Sequence, residues 1–81
     1  MNLTDPQRRA LAVIARRGRG VAGTTTNAST GRVHGMAARA LVFEDLIERD
    51  PTVDETLRAW RLTDAGRQLA AELGLELKAA G

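Results

Sequence analysis

Apolar positions near the start of the chain fall on helical spacing. In "LTDPQRRALAVIARRG", Leu11, Ile14 and Ala15 form one stripe with Ala10 and Val13 beside them, while Arg8, Arg9, Ala12 and Arg16 fall opposite. Thr4 supplies an N-cap, Gln7 three residues on completes a capping box, and Pro6 sits in the first turn, where a missing N–H costs nothing. Gly18 is placed to end the helix in the left-handed conformation, so a helix is predicted over about 4–17. The next stretch, "GRGVAGTTTNAST", has no apolar period and few helix formers. It predicts a loop or short strand over 18–29, with any strand around Val21 to Thr26. In "GRVHGMAARALVFEDLIER" the helical spacing returns. Val33, Ala37, Ala40, Leu41 and Glu44 make a stripe, Met36 and Phe43 flank it, and Arg32, His34, Gly35, Ala38 and Arg39 make the outer face. With Ser29 or Thr30 as cap, a second helix is expected over about 30–44. Gly35 costs that helix roughly 1 kcal/mol against alanine, which hints at a bend or at close approach of another surface.

The pattern then changes to period two. "LIERD" alternates as a strand does, "PTVDET" has turn composition, and "LRAWRL" returns with Arg58, Trp60 and Leu62 on one face and Leu57, Ala59 and Arg61 on the other. This is a hairpin over about 46–62. An isolated hairpin is barely stable in water, so one face must pack on the helices, and Trp60 with Leu62 are its natural anchors. Thr63 caps a last helix, expected over about 63–78, in which Ala65, Leu69, Leu73 and Leu77 repeat every four residues.

The elements together predict one small α+β domain, mainly α, spanning 1–81. A chain this size buries only roughly 60% of its unfolded surface. It has no cysteine, so neither a disulfide nor a thiolate metal site reinforces it. No apolar run reaches the roughly 20 residues of a membrane span, and acid, proline and arginine interrupt the start before a signal-peptide core forms. A cytoplasmic protein with no membrane partner is expected. Charge is uneven: residues 1–43 hold seven arginines against Asp5 alone, whereas residues 44–81 hold five basic residues against nine acids, and the net is +2. Such a basic half suggests a face for a polyanion.

Two segments carry a family resemblance: "AARALVFEDLIERD", a helix running into a strand, and "WRLTDAGRQLAAEL", a strand running into a helix. Residues 30–73 resemble the winged helix-turn-helix domains of bacterial and phage regulators of the MarR and PadR types. Asp45 stands where the helix-to-strand turn of that family usually has glycine, and it tolerates the left-handed conformation next best. No obvious helix is encoded between the first helix and the helix expected over about 30–44, where the family has one. The resemblance implies three helices with a small two- or three-stranded β-wing, and a regulator bound to duplex DNA near the nucleoid of a bacterial or phage-infected cell. It implies base or phosphate contacts from Arg32, His34 and Arg39, with Thr56 and Arg58 on the wing.

The residue chemistry agrees in part. Arginine suits guanine edges and phosphates, and a hydroxyl at a helix start, such as Thr30, can hold a phosphate oxygen. Arg16, Arg17 and Arg19 crowd a helix end, where they complement the helix dipole or contact phosphate. The wing disagrees, because Asp50, Asp54 and Glu55 repel phosphate, while a wing in protein contact tolerates them. The alternative expectation is therefore a winged-helix protein–protein interaction module, such as a phage factor bound to a host protein. Leu69, Leu73 and Leu77 are candidates for a homodimer or partner interface. No enzymatic activity, metal, cofactor or small-molecule ligand is expected. His34 is the only histidine, Glu44 and Asp45 diverge by roughly 100° on a helix, and the hydroxyls of "TTT" and Ser29 have no base nearby.

Overall fold

The computed structural model describes residues 2–78. Its first helix, α1 (Asp5–Arg17), carries both halves of the capping box. The Thr4 hydroxyl accepts from the Gln7 N–H at 3.3 Å, and the Gln7 side chain accepts from the Thr4 N–H at 3.2 Å. Gly18 ends the helix at φ 79°, its N–H donating to the Ile14 carbonyl. Ala10, Leu11, Val13, Ile14 and Ala15 are buried, as their spacing predicts.

Four strands follow or separate the other helices: β1 (Gly20–Gly23), β2 (Arg32–His34), β3 (Ile47–Arg49) and β4 (Ala59–Leu62), in the order β2-β1-β4-β3. The sheet is mixed. β1 and β2 run parallel, with Ala22 opposite Val33, while β4 pairs antiparallel with both β1 and β3. This corrects one expectation, since the sheet has four strands rather than two or three, while the short strand allowed for within 18–29 is β1.

The 24–31 connection is short for a parallel pair, which usually needs a dozen residues or more. It closes because Asn27 turns the chain back along the outer edge of β2. The Asn27 N–H donates to the Arg32 carbonyl at 2.8 Å, and the Thr26 hydroxyl accepts from the His34 N–H at 3.0 Å. The loop thereby covers a strand edge that would otherwise be open to pairing.

The second helix, α2 (Gly35–Phe43), begins later than about residue 30. Residues 32–34 are strand, and the N-cap is His34, whose Nδ1 accepts from the Met36 N–H at 3.2 Å. Thr30 and Ser29 lie in the loop before the strand. Ala38, expected on the outer face, is buried, whereas Met36 and Phe43 are exposed.

The end of α2 is closed by two bonds, from the Asp45 N–H to the Val42 carbonyl and from the Leu46 N–H to the Leu41 carbonyl. That pairing is a Schellman motif, with Asp45 left-handed at φ 60° where glycine is usual. The third helix, α3 (Asp64–Glu72), ends with the same motif, here with Gly74 left-handed at φ 72° and the Leu75 N–H on the Ala70 carbonyl. It therefore stops near residue 72, short of the expected 78. The chain beyond it returns to α1, where the Lys78 N–H donates to the Ala15 carbonyl at 2.8 Å.

The core gathers Leu11 and Ile14 of α1, Val33 of β2, Leu41 of α2, and Leu46 with Ile47 at the start of β3. Trp60 and Leu62 of β4 pack against it from the sheet, and Leu69, Leu73 and Leu75 from the C-terminal side. α3 is held close to the turn after α2. The Thr63 hydroxyl donates to the Asp45 carbonyl at 2.6 Å while accepting from the Gly66 N–H at 3.0 Å. At Gly66 a Cβ would collide with the Leu46 carbonyl oxygen, so only glycine fits that approach. The result is a small α+β domain of three helices and a four-stranded mixed sheet. No helix of the described residues is long and apolar enough to cross a membrane.

Candidate functional site

α2 is anchored at its start by His34 and at its end by the Asp45 turn, and Ala37, Ala38 and Leu41 are its buried side. That anchoring leaves Met36, Arg39, Val42 and Phe43 outward, with Met36 69% and Phe43 89% exposed. Between α2 and strands β1 and β4 lies a cleft of about 660 Å³. Met36, Arg39 and Val42 line it from the helix, Trp60 from β4 with Arg58 just before that strand, Ala22 from β1 and His34 from β2. Trp60 is half-buried: it packs on the core and also lines the cleft.

The electrostatics of the cleft are one-sided. Its lining residues include two arginines and the histidine, and no carboxylate. Among the described residues, neither Arg39 nor Arg58 makes a side-chain hydrogen bond or ion pair, whereas the ion pairs that do form lie elsewhere, at Arg16–Glu76, Arg19–Asp50 and Arg61–Glu48.

The most organised of these pairs sets the base of the β3–β4 hairpin. Asp50 is nearly buried, its Oδ2 accepts from Arg19 Nε at 2.9 Å, and its Oδ1 accepts from the Thr52 hydroxyl and N–H at 2.6 and 2.9 Å. The Thr52 hydroxyl bond, joined by the Thr52 N–H and by Arg19, outweighs burial and holds the Asp50 carboxyl down at about 2, below the ordinary 3.8. Asp54, in the turn between β3 and β4, is also held below the usual carboxylate range by the Thr56 N–H and hydroxyl.

The structure divides the residues singled out from the sequence into three groups. His34, Arg39 and Arg58 meet in the cleft. Arg32 lies on β2, its guanidinium donating to the Ala22 carbonyl, and the Thr30 hydroxyl is engaged within its own loop. Thr56 donates its hydroxyl to Asp54. The arginines around the end of α1 are tied to the chain itself: Arg16 is 3.7 Å from Glu76, Arg17 donates to the Ala28 and Ser29 carbonyls, and Arg19 binds Asp50 and Thr52.

The three leucines proposed for an interface also face inward in part. Leu69 and Leu73 pack on the core, and Leu77, beyond the helix, is half-buried beside Ala15 and Gly18. Sequence reasoning missed the cleft role of Trp60, Met36 and Val42. Met36 and Phe43, seven residues apart beside the buried stripe, were the available signal. Among the described residues, no three side chains of histidine or carboxylate type gather as a metal site would require. Comparison of the chain with protein-family models, with curated proteins and with solved structures found no match.

Proposed function

We propose that this protein is a small DNA-binding module of winged-helix type, acting as a transcriptional regulator or phage accessory factor. In this reading α2 is the recognition element, the β3–β4 hairpin is the wing, and Arg39 and Arg58 take phosphates on the two walls of the cleft. The observation that carries it is the cleft itself, which has two arginines without a side-chain partner among the described residues and no carboxylate in its lining, while Arg16, Arg17, Arg19, Arg32, Arg49 and Arg61 bind acceptors of the chain. Arginines without an internal partner break no protein contact when a phosphate arrives, and each phosphate contact releases a counterion.

Two observations ease the objection of the acidic wing. Asp50 is already neutralised by Arg19, and it lies at the base of the hairpin rather than at its tip. A strand and a self-bonded loop occupy the place of the extra helix of the family, with Arg17 fastening that loop to α1. A gel shift against random duplex DNA tests the reading. Retardation at ~50 mM salt that fades steeply by ~200 mM supports it, and the absence of any shift at the lower salt removes it.

A second reading has its own observation. Met36, Val42, Phe43 and Leu57 are exposed large apolar side chains, three of them on α2, and apolar exposure of that kind suits a protein partner. A salt-insensitive protein complex abolished by Phe43→Asp would favour it.

A further inference from the structure

The cleft is concave, and a duplex is met by convex elements. The lining of this one sets an indole and two apolar side chains beside two arginines, a makeup that suits one turned-out nucleotide better than the continuous phosphate rows of a closed duplex. We infer that the cleft receives a single unstacked nucleobase against Trp60, with Arg39 and Arg58 holding the phosphates on either side of it. The protein would then prefer DNA that offers an unpaired nucleotide, such as a bulge or a locally melted site. This inference rests on the DNA-binding reading and names the form of DNA that the same site takes.

Three features support it. First, Trp60 both packs against the core and lines the cleft, and an indole held by a core is a stacking platform for any base. Second, Met36 and Val42 of α2 give apolar cover on the helix side, with Ala22 contributing only a methyl group. The space between them therefore suits a flat ring. Third, the polar groups of the lining are cationic or neutral, so a strand can enter with its phosphates at Arg39 and Arg58 and meet no carboxylate among the lining residues. A strand with one base turned inward uses all three at once, whereas a closed duplex uses only the arginines.

The chain has one tryptophan and no tyrosine, so its intrinsic emission reports the surroundings of Trp60. The probes are a 20-base-pair duplex, the same duplex with one bulged thymidine, and the same bulge made abasic. The bulged thymidine should quench Trp60 emission and bind about tenfold tighter than the perfect duplex, the size of one base–aromatic stack. The abasic bulge, which keeps the bend and the charge, should do neither. Trp60→Leu should lose the preference while keeping its affinity for the perfect duplex, and Trp60→Phe should retain part of the preference. Equal affinity for thymidine and abasic bulges with unmoved emission, alongside salt-dependent binding of the perfect duplex, would overturn the inference and leave the DNA-binding reading standing. Failure of all three DNAs to bind would remove both. The comparison of the two bulges uses the unaltered protein, so it decides the matter even if Trp60→Leu does not fold.

Discussion

Around the C-terminal end of α1, Arg16, Arg17 and Arg19 each meet an acceptor that the chain supplies, a carboxylate for the first and last and two loop carbonyls for the second. On the walls of the cleft, Arg39 and Arg58 meet none among the described residues. The residue type is the same and the consequence is opposite. An arginine matched internally orders the protein's own loops, whereas one left without an acceptor is ready for an external anion. Counting arginines along the chain treats the two groups alike, and the basic end of α1 then looks like the better phosphate site. After folding, the cleft keeps its charge, as do Arg8, Arg9 and Arg67 outside it, but among the described residues the cleft arginines alone flank an apolar floor without a carboxylate in the lining.

Substitutions can separate the two regions, because those on the packed side should alter stability and those at the cleft should alter binding. Gly66→Ala should have the largest effect, since its Cβ meets the Leu46 backbone, which cannot swing aside as a side chain would. A loss of about 3 kcal/mol is expected in urea denaturation, and a loss under ~0.5 kcal/mol would mean that α3 does not sit this close to the turn. Asp50→Asn comes next, at about 2 kcal/mol, because it weakens charge-assisted bonds from Arg19 and Thr52.

The same carboxylate sets a pH dependence. Its folded value, about 2, lies below the ordinary 3.8, so its stabilisation is fully present above the unfolded value. That contribution is lost as pH falls through the window between the two. Acid titration of stability should therefore show a fall between pH 4 and 2 that Asp50→Asn flattens.

At the cleft the pattern should reverse. Arg39→Ala and Arg58→Ala should each change stability by less than ~0.5 kcal/mol while weakening DNA binding. If either variant unfolds the protein, it has an internal role that the geometry does not show. The smallest effect belongs to Asp45→Gly. The left-handed position costs a residue with a side chain about 1–2 kcal/mol, and glycine returns about 0.5–1 kcal/mol of that as chain entropy. A net gain of about 0.5 kcal/mol is expected, read as a small upward shift in the thermal midpoint.

What the sequence revealed depended on how local the deciding interaction was. The capping box at Thr4 and Gln7, the stop at Gly18 and the left-handed turn at Asp45 are settled within a few residues, and each stands where the sequence places it. The β3–β4 hairpin was legible for the same reason, from its alternation and its acidic turn.

The start of α2 was not. Val33 fits a helical stripe with Ala37 and Leu41, yet it also fits the middle of a strand flanked by Arg32 and His34, and so short a run does not separate the two periods. Pairing with β1, a tertiary event, decided for the strand, and His34 rather than a hydroxyl residue then became the cap. At the C-terminus the four-residue repeat of leucines runs on to Leu77, but Gly74 turns left-handed and the Schellman bonds end the helix before it. The cleft was the least legible feature. It depends on which arginines find acceptors far away in sequence, as Arg19 does at Asp50, and on Trp60 serving the core and a surface together.

The most direct test of the central claim is the salt dependence of duplex DNA affinity, measured by anisotropy of a labelled 20-mer for three proteins. These are the unaltered chain, Arg39→Ala/Arg58→Ala at the cleft, and Arg16→Ala/Arg61→Ala at ion-paired positions, with the same change in net charge. If the cleft arginines hold phosphates, the log–log slope should fall in magnitude by about 1.8 for the cleft pair and stay near the unaltered value for the ion-paired control. Equal reductions in the two variants would show that net charge alone governs binding, and would contradict the assignment of the cleft.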